Sequence, residues 1–161
     1  MAEWKETDSS SLAALTRDTS TLADAAESMQ SLVETIWRLR QPDGCPWDRE
    51  QTHESIAKNM IEEAYEAVDC IEQNDEVHLR EELGDVLMQV VLHAQIAADA
   101  GTFTMTDVAR DINQKLIRRH PHVFGDDTGA AKDAREVLEI WDSVKLSEQS
   151  DKAVSYTHLT L

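Results

Sequence analysis

Residues 61–85 read IEEAYEAVDCIEQNDEVHLREELGD, and the organisation of the chain follows from how this stretch must fold. Upstream of its middle, Met60, Ala64, Ala67, Val68 and Ile71 recur at helical spacing, and Thr52 stands where an N-cap is needed, so a helix is predicted over about 52–73. Asn74-Asp75 supplies a short turn, and a second helix is predicted from about Glu76 to Ala100, ended by Gly101. A turn this short makes the two helices antiparallel neighbours. Ten acids fall between 62 and 85, where Arg80 is the only Lys or Arg. Glu66 lies eight residues before Asn74 and Glu82 seven after Asp75, which at 1.5 Å per residue puts both roughly 10–12 Å from the turn. By the same count Glu63 and Asp85 share the next layer. Glu63-x-x-Glu66 and Glu82-x-x-Asp85 each place two carboxylates on one helix face, so four acids converge. Glu63 and Glu82 sit about 40° around their helices from Ala67 and Val86, at the border of the apolar stripe.

Four carboxylates this close repel one another unless a cation neutralises them. An all-oxygen set selects a hard divalent ion, Mg²⁺ first and Mn²⁺ next, and Mg²⁺ recruits phosphates, so a phosphate ester is the expected substrate. The plain alternative is a solvated acidic face, which explains most charge runs, and Glu62, Asp69 and Glu72 taken singly fit it better. Gly84, inside the second helix, suggests a close backbone approach or tight helix packing. A carboxylate-bridged dinuclear iron or manganese centre would use Glu-x-x-His motifs, and by that criterion this class is disfavoured.

Working outward, an earlier helix is predicted from Ser28 or Ser31 to about Arg40, with Leu32, Ile36 and Leu39 at helical spacing. PDGCPWDREQ, residues 42–51, reads as an ordered loop that packs Trp47 against the domain. VLMQVVLHAQIAA, residues 86–98, is apolar on nearly all sides and marks the central helix. A fourth helix should open at Thr104 or Thr106 and stop at Pro121, and a fifth should span Ala134–Val144. The expected fold is therefore all-α, an antiparallel bundle of about five helices completed by dimerisation. Residues 1–27 read as a flexible leader, 28–146 as the domain, and 147–161 as a non-native-looking or disordered tail.

Cations gather at KLIRRHPH, residues 115–122, where Lys115 and Arg119 share a helix face with Arg118 beside them. Arg offers a planar donor fork and Lys a point charge for phosphate oxygens; favourable placement of cations at a helix C-terminus is the alternative. His120 and His122 fit loop anchoring better than metal ligation. Trp141 can stack on a base, or serve as a core or dimer-interface residue.

The chain has 161 residues with 15 Lys+Arg against 32 Asp+Glu, a formal net charge of -17. That balance opposes binding to nucleic acid or to an anionic membrane surface. No stretch reaches the roughly 18 apolar residues a spanning helix needs, and no basic, then apolar, leader is present. Cys45 and Cys70 make no CxxC pair and fit a reduced compartment, so a cytoplasmic protein is predicted.

GCPWDREQTHESIAKNMIEEAYEAVDCI, LREELGDVLMQVVLHAQ and KLIRRHPHVFGD together resemble the MazG family of nucleoside triphosphate pyrophosphohydrolases, within the all-α NTP pyrophosphatase superfamily, over roughly residues 28–146. The resemblance implies a helical homodimer that uses Mg²⁺ and cleaves nucleoside triphosphates to monophosphate and pyrophosphate. It implies metal ligation by Glu63, Glu66, Glu82 and Asp85, with Glu62 a further acid of the motif and the candidate catalytic base. Lys115 and Arg119, with Arg118, fall at the substrate side, and Trp141 at the base side. Many members carry two such domains, so a second expectation is a weakly active or non-catalytic regulatory and dimerisation domain of a longer protein.

Overall fold

The computed structural model describes residues 19–125 and 133–157, with side chains within 20–125 and 133–146. Among the described residues there are seven helices and no strand, as the all-α expectation requires. They fall into two compact units, divided between Met105 and Thr106.

The first unit holds α1 (Thr19–Leu39), the short α2 (Pro46–Glu50), α3 (His53–Gln73) and α4 (Glu76–Asp99). The Thr52 cap and the Asn74-Asp75 turn stand where the sequence predicts them, and the structure adds their detail. Thr52 and Ser55 form a reciprocal capping box, the Ser55 N–H donating to Thr52 Oγ1 at 3.2 Å and the Thr52 N–H to Ser55 Oγ at 2.9 Å. Asn74 takes the left-handed conformation at φ 56°, which an Asn tolerates far better than a branched residue, and Asp75 accepts the His78 N–H as the N-cap of α4. Helices α3 and α4 thus form the expected antiparallel hairpin, and α1 packs on α4.

Helix α4 is the central one: Gln89, Val91, Leu92, Ala94, Ile96 and Ala97 are buried. Val91, Leu92 and Ile96 meet Ile36 of α1 and Ile56 of α3, with Met29, Leu32, Val33, Leu39, Met88 and Met105 packed around them. Each such aliphatic side chain contributes about 1.5–3 kcal/mol by leaving water. This core lies at the hairpin end far from the turn, so the turn-proximal half is free to carry charge.

The connection from α1 to α3 is tightly tied. A Cβ on Gly44 would lie 2.2 Å from the Leu39 carbonyl oxygen, so only glycine fits where the Cys45 N–H donates to that oxygen at 2.7 Å. The Arg40 side chain, 8% exposed, bonds Asp99 at 2.6 Å and the carbonyls of Asp48 and Gln51. Arg49 donates to the Pro42 carbonyl and the Gln51 amide to that of Trp47.

Several expectations shift. Helix α1 begins at Thr19, nine residues before Ser28, because Leu22, Ala23, Ala25 and Ala26 favour helix even with exposed side chains. Part of the segment read as a flexible leader is therefore helical, while residues 1–18 lie outside the described residues. Residues Pro46–Glu50 form a helical turn, and Trp47 stays 57% exposed instead of packing inward. A Cβ on Gly84 meets nothing within 4 Å, so close packing does not explain that glycine.

The second unit holds α5 (Met105–Arg119), α6 (Pro121–Phe124) and α7 (Ala134–Thr157). Helix α5 buries none of its side chains and exposes Ile112, Leu116 and Ile117. Asp133 accepts the Arg135 and Glu136 N–H groups at the start of α7. That helix continues through residues 147–157, where a tail is predicted; residues 158–161 lie outside the described residues. No described helix is long and apolar enough to cross a membrane.

Candidate metal centre

The hairpin brings three of the four predicted ligands together. Glu63 and Glu66 of α3 and Glu82 of α4 each offer a carboxylate oxygen, and these oxygens all lie within 4.8 Å of one another. Glu63 and Glu82 are half-buried and Glu66 is exposed. The trio joins Glu66 and Glu82, which the count from the Asn74-Asp75 turn places in one layer, with Glu63 from the next layer. Asp85 stands just outside this trio, yet its charge acts on both Glu63 and Glu82.

The electrostatics are those of like charges held together. Partial burial, then the charges of Asp85, Glu66 and Glu62, raise the Glu63 pKa above the ordinary glutamate range. Burial and then Glu66, Asp85 and Glu81 do the same for Glu82, and burial with Glu82 and its acidic neighbours pushes the Cys70 thiol up. A divalent cation reverses this penalty by turning repulsion into ligation, and an all-carboxylate donor set on two rigid helices fits a hard ion. Glu62 is exposed on α3, at the edge of the cluster. The one Glu-x-x-His spacing, Glu50 to His53, runs from the end of α2 to the start of α3 and shares no helix.

Within the second unit two of the remaining candidates, Arg119 and Trp141, meet directly. The Arg119 guanidinium lies over the Trp141 ring, 5.0 Å from its centroid, and His120 meets the same ring edge-on at 5.1 Å. His120 Nδ1 donates to the Leu116 carbonyl at 2.7 Å, and His122 lies 5.5 Å from His120, ring to ring. The carbonyl bond matches the loop-anchoring expectation for His120. Lys115 and Arg118 are exposed on α5.

Sequence reasoning passes over two polar features of the first unit. One is the Arg40–Asp99 pair, 59 residues apart in the chain. The other is a contact between His53 and His93, 40 residues apart, next to a buried Gln89 whose Oε1 has no hydrogen-bond partner. No local pattern links either pair.

The fold and the site define an all-α protein with a carboxylate centre suited to a hard cation. The chain carries a MazG domain: residues 51–124 match the MazG nucleotide pyrophosphohydrolase domain. It is 46% identical over 134 residues to the nucleoside triphosphate pyrophosphohydrolase/pyrophosphatase MazG of Thermotoga maritima, covering 83% of this chain and 50% of that protein. It is 47% identical over 123 residues to the nucleoside triphosphate pyrophosphohydrolase of Escherichia coli K12, covering 76% of this chain and 46% of that one. The crystal structure of a mazG-related protein from Thermotoga maritima superposes with a TM-score of 0.60 at 26% identity, over 72% of this chain and 97% of that one. The chain spans about half the length of these two curated relatives.

Proposed function

We propose that this chain hydrolyses nucleoside triphosphates to nucleoside monophosphate and pyrophosphate, with Mg²⁺, or Mn²⁺ in its place, held by Glu63, Glu66, Glu82 and Asp85. The observation that carries the reading is the carboxylate trio within 4.8 Å, inside the segment that matches the pyrophosphohydrolase domain. Two relatives at 46–47% identity bear the name of that activity. The bound cation supplies charge neutralisation for the triphosphate and for the cluster itself.

The roles of the chain's own groups follow from their chemistry. Glu62, exposed beside the cluster, takes the proton of the attacking water. Lys115, Arg118 and Arg119 neutralise the pyrophosphate oxygens, Arg119 through its planar donor fork. Trp141 stacks on the base, through the indole face that Arg119 does not cover. Ile61, Tyr65, Val68 and Ile71 on α3 are exposed apolar side chains at helical spacing, and this stripe supports a homodimer in the cytoplasm as the working form. Product analysis on a panel of nucleoside triphosphates with Mg²⁺ tests the reading: monophosphate and pyrophosphate are expected, and orthophosphate with diphosphate as primary products rejects it.

A second reading is favoured by one fact, the half-length match to the curated relatives. In it the chain is a weakly active or non-catalytic regulatory and dimerisation domain. Turnover by the purified chain separates the two readings.

A further inference from the structure

His53 opens α3 and His93 lies in the buried half of α4, in the seam where these helices meet the core. Their Nδ1 atoms are 2.8 Å apart, the ring planes are 4° from parallel and the centroids are 5.1 Å apart. That centroid separation exceeds the Nδ1 distance by the width of a whole imidazole ring, the largest excess the contact allows. The two nitrogens therefore point straight at each other in one plane, as an N–H···N hydrogen bond requires and a face-to-face stack does not.

Proton accounting then constrains the pair. A single proton occupies the Nδ1–Nδ1 bridge, since two would collide. His53 is exposed, so its Nε2–H can donate to water. His93 Nε2 is buried with no hydrogen-bond partner. An orphaned buried N–H is rarer and costlier than an unfilled acceptor, so His93 holds its proton on Nδ1 and donates it to His53, leaving Nε2 bare. While the bridge stands, an added proton has one place to go, His93 Nε2, where the charge would be buried and the new N–H unpaired.

We propose that His53 and His93 form a clasp that closes only when both rings are neutral, fastening the first turn of α3 to α4, and that the first proton the pair takes up opens it. Opening lets the His53 ring turn to water and frees the His93 ring, so the proton is accommodated at the cost of the bridge. Among the described residues Glu54 attracts a charged His53, which favours placing the added proton on that ring once the clasp opens. Glu54 and Lys58 lie on α3. Asp99, further along α4, is bonded to Arg40 and Gln95. Helix α1 adds the apolar Met29, Leu32, Val33 and Ile36 to this core, and its Glu34 is bonded to Gln30. Burial and the facing His53 lower the His93 pKa, in the same direction.

The test is ¹⁵N-detected histidine tautomer spectra of the full chain, with and without His53→Ala, titrated from pH 8 to 5. At pH 8 the wild type should show His93 as the Nδ1–H tautomer and His53 as Nε2–H. Both rings should change in one linked step below the ordinary histidine midpoint of about 6.5. Across that step Ile56, in the first turns of α3, should lose about tenfold in hydrogen-exchange protection after correction for intrinsic rates. In His53→Ala, His93 should move to the Nε2–H tautomer and its midpoint should shift upward. His93 found as Nε2–H in the wild type, independent titration of the two rings, or an unchanged His93 tautomer and midpoint in His53→Ala would overturn the clasp. Position 53 is exposed, so the variant should fold; if it does not, the wild-type spectra alone decide.

Discussion

The acidic hairpin and the cationic end of α5 carry opposite charges and are built by different means. Glu63, Glu66 and Glu82 meet because two regular helices run back from one turn, so backbone geometry alone brings their oxygens within 4.8 Å. Arg119 is placed by a side-chain contact, its guanidinium lying on Trp141, a residue of a helix that begins after the 126–132 segment. Charges fixed by helix register hold their geometry whether or not a ligand is present, and their mutual repulsion is then unavoidable. A charge placed by side-chain contacts can be re-aimed toward a phosphate by side-chain rotation, without moving the helix that carries it. The first arrangement suits a permanent cation site and the second suits transient neutralisation of a leaving group.

The largest effect should come from the rigid side. Glu66→Gln and Glu82→Gln each delete a ligand charge at nearly constant volume, and nucleotide turnover should fall at least about a hundredfold with helical circular dichroism unchanged. Full activity in both variants would reduce the hairpin to a solvated acidic face and erase the contrast with α5.

Arg119→Ala should come next. Turnover should fall about tenfold, while stability drops by about 1–2 kcal/mol, the worth of a cation at a helix end over a half-buried aromatic. Arg119→Lys should restore charge without the planar fork and recover activity only in part. Unchanged steady-state kinetics in Arg119→Ala would assign the residue to holding Trp141 and nothing more.

The same contrast explains what could be read from the sequence. The hairpin and its clustered carboxylates were legible because every signal there is local: a Thr52 cap, a short Asn74-Asp75 turn, and helical periods counted from that turn. Counting along regular helices is accurate over two or three turns, and the acids lie within that range. The contact of Arg119 with Trp141 spans a loop whose course no period predicts, and the His53–His93 and Arg40–Asp99 pairs join residues 40 and 59 positions apart. The exposure of Trp47 escaped for a related reason. The 40–51 connection is fixed by backbone carbonyls accepting from Arg40, Arg49 and Gln51, so the aromatic is not needed to anchor it. Helix boundaries moved where propensity outruns burial, as at Thr19, since alanine-rich sequence extends a helix without any apolar face to mark it.

A smaller effect follows from repulsion on the rigid side. Without metal, Glu82→Gln should melt above the wild type, because burial and the charges of Glu66 and Asp85 penalise the Glu82 carboxylate. Mg²⁺ should then raise the wild-type melting temperature by mass action, through a stabilisation of about 2.7 kcal/mol at a hundredfold excess over its Kd, and leave the variant unmoved. An equal rise in both would mean that the ion screens the overall charge of -17 and occupies no site.

The smallest effect belongs to the turn that positions the acids. Asp75 accepts the His78 N–H at 3.1 Å and faces His78 Nδ1 at 2.6 Å. Its bond to the His78 ring holds Asp75 below the ordinary aspartate range, and the same bond holds His78 above the ordinary histidine range. The depressed Asp75 contributes stability that is present above about pH 4 and lost as pH falls through its folded value. The raised His78 contributes stability that is complete below about pH 6.5 and lost as pH rises through its folded value. Both contributions are therefore present together only between those limits. Asp75→Asn keeps the N-cap acceptor while removing the charge, so the helix start survives and only the pH dependence changes. The melting-temperature difference between wild type and Asp75→Asn should favour the wild type most at pH 5–6 and shrink by pH 8.5, a comparison in which every other titrating group, the His53–His93 pair included, cancels. A difference that stays constant from pH 5 to 8.5 would show that Asp75 acts as a cap alone, and that the hairpin's acids owe their register to backbone geometry without help from this ion pair.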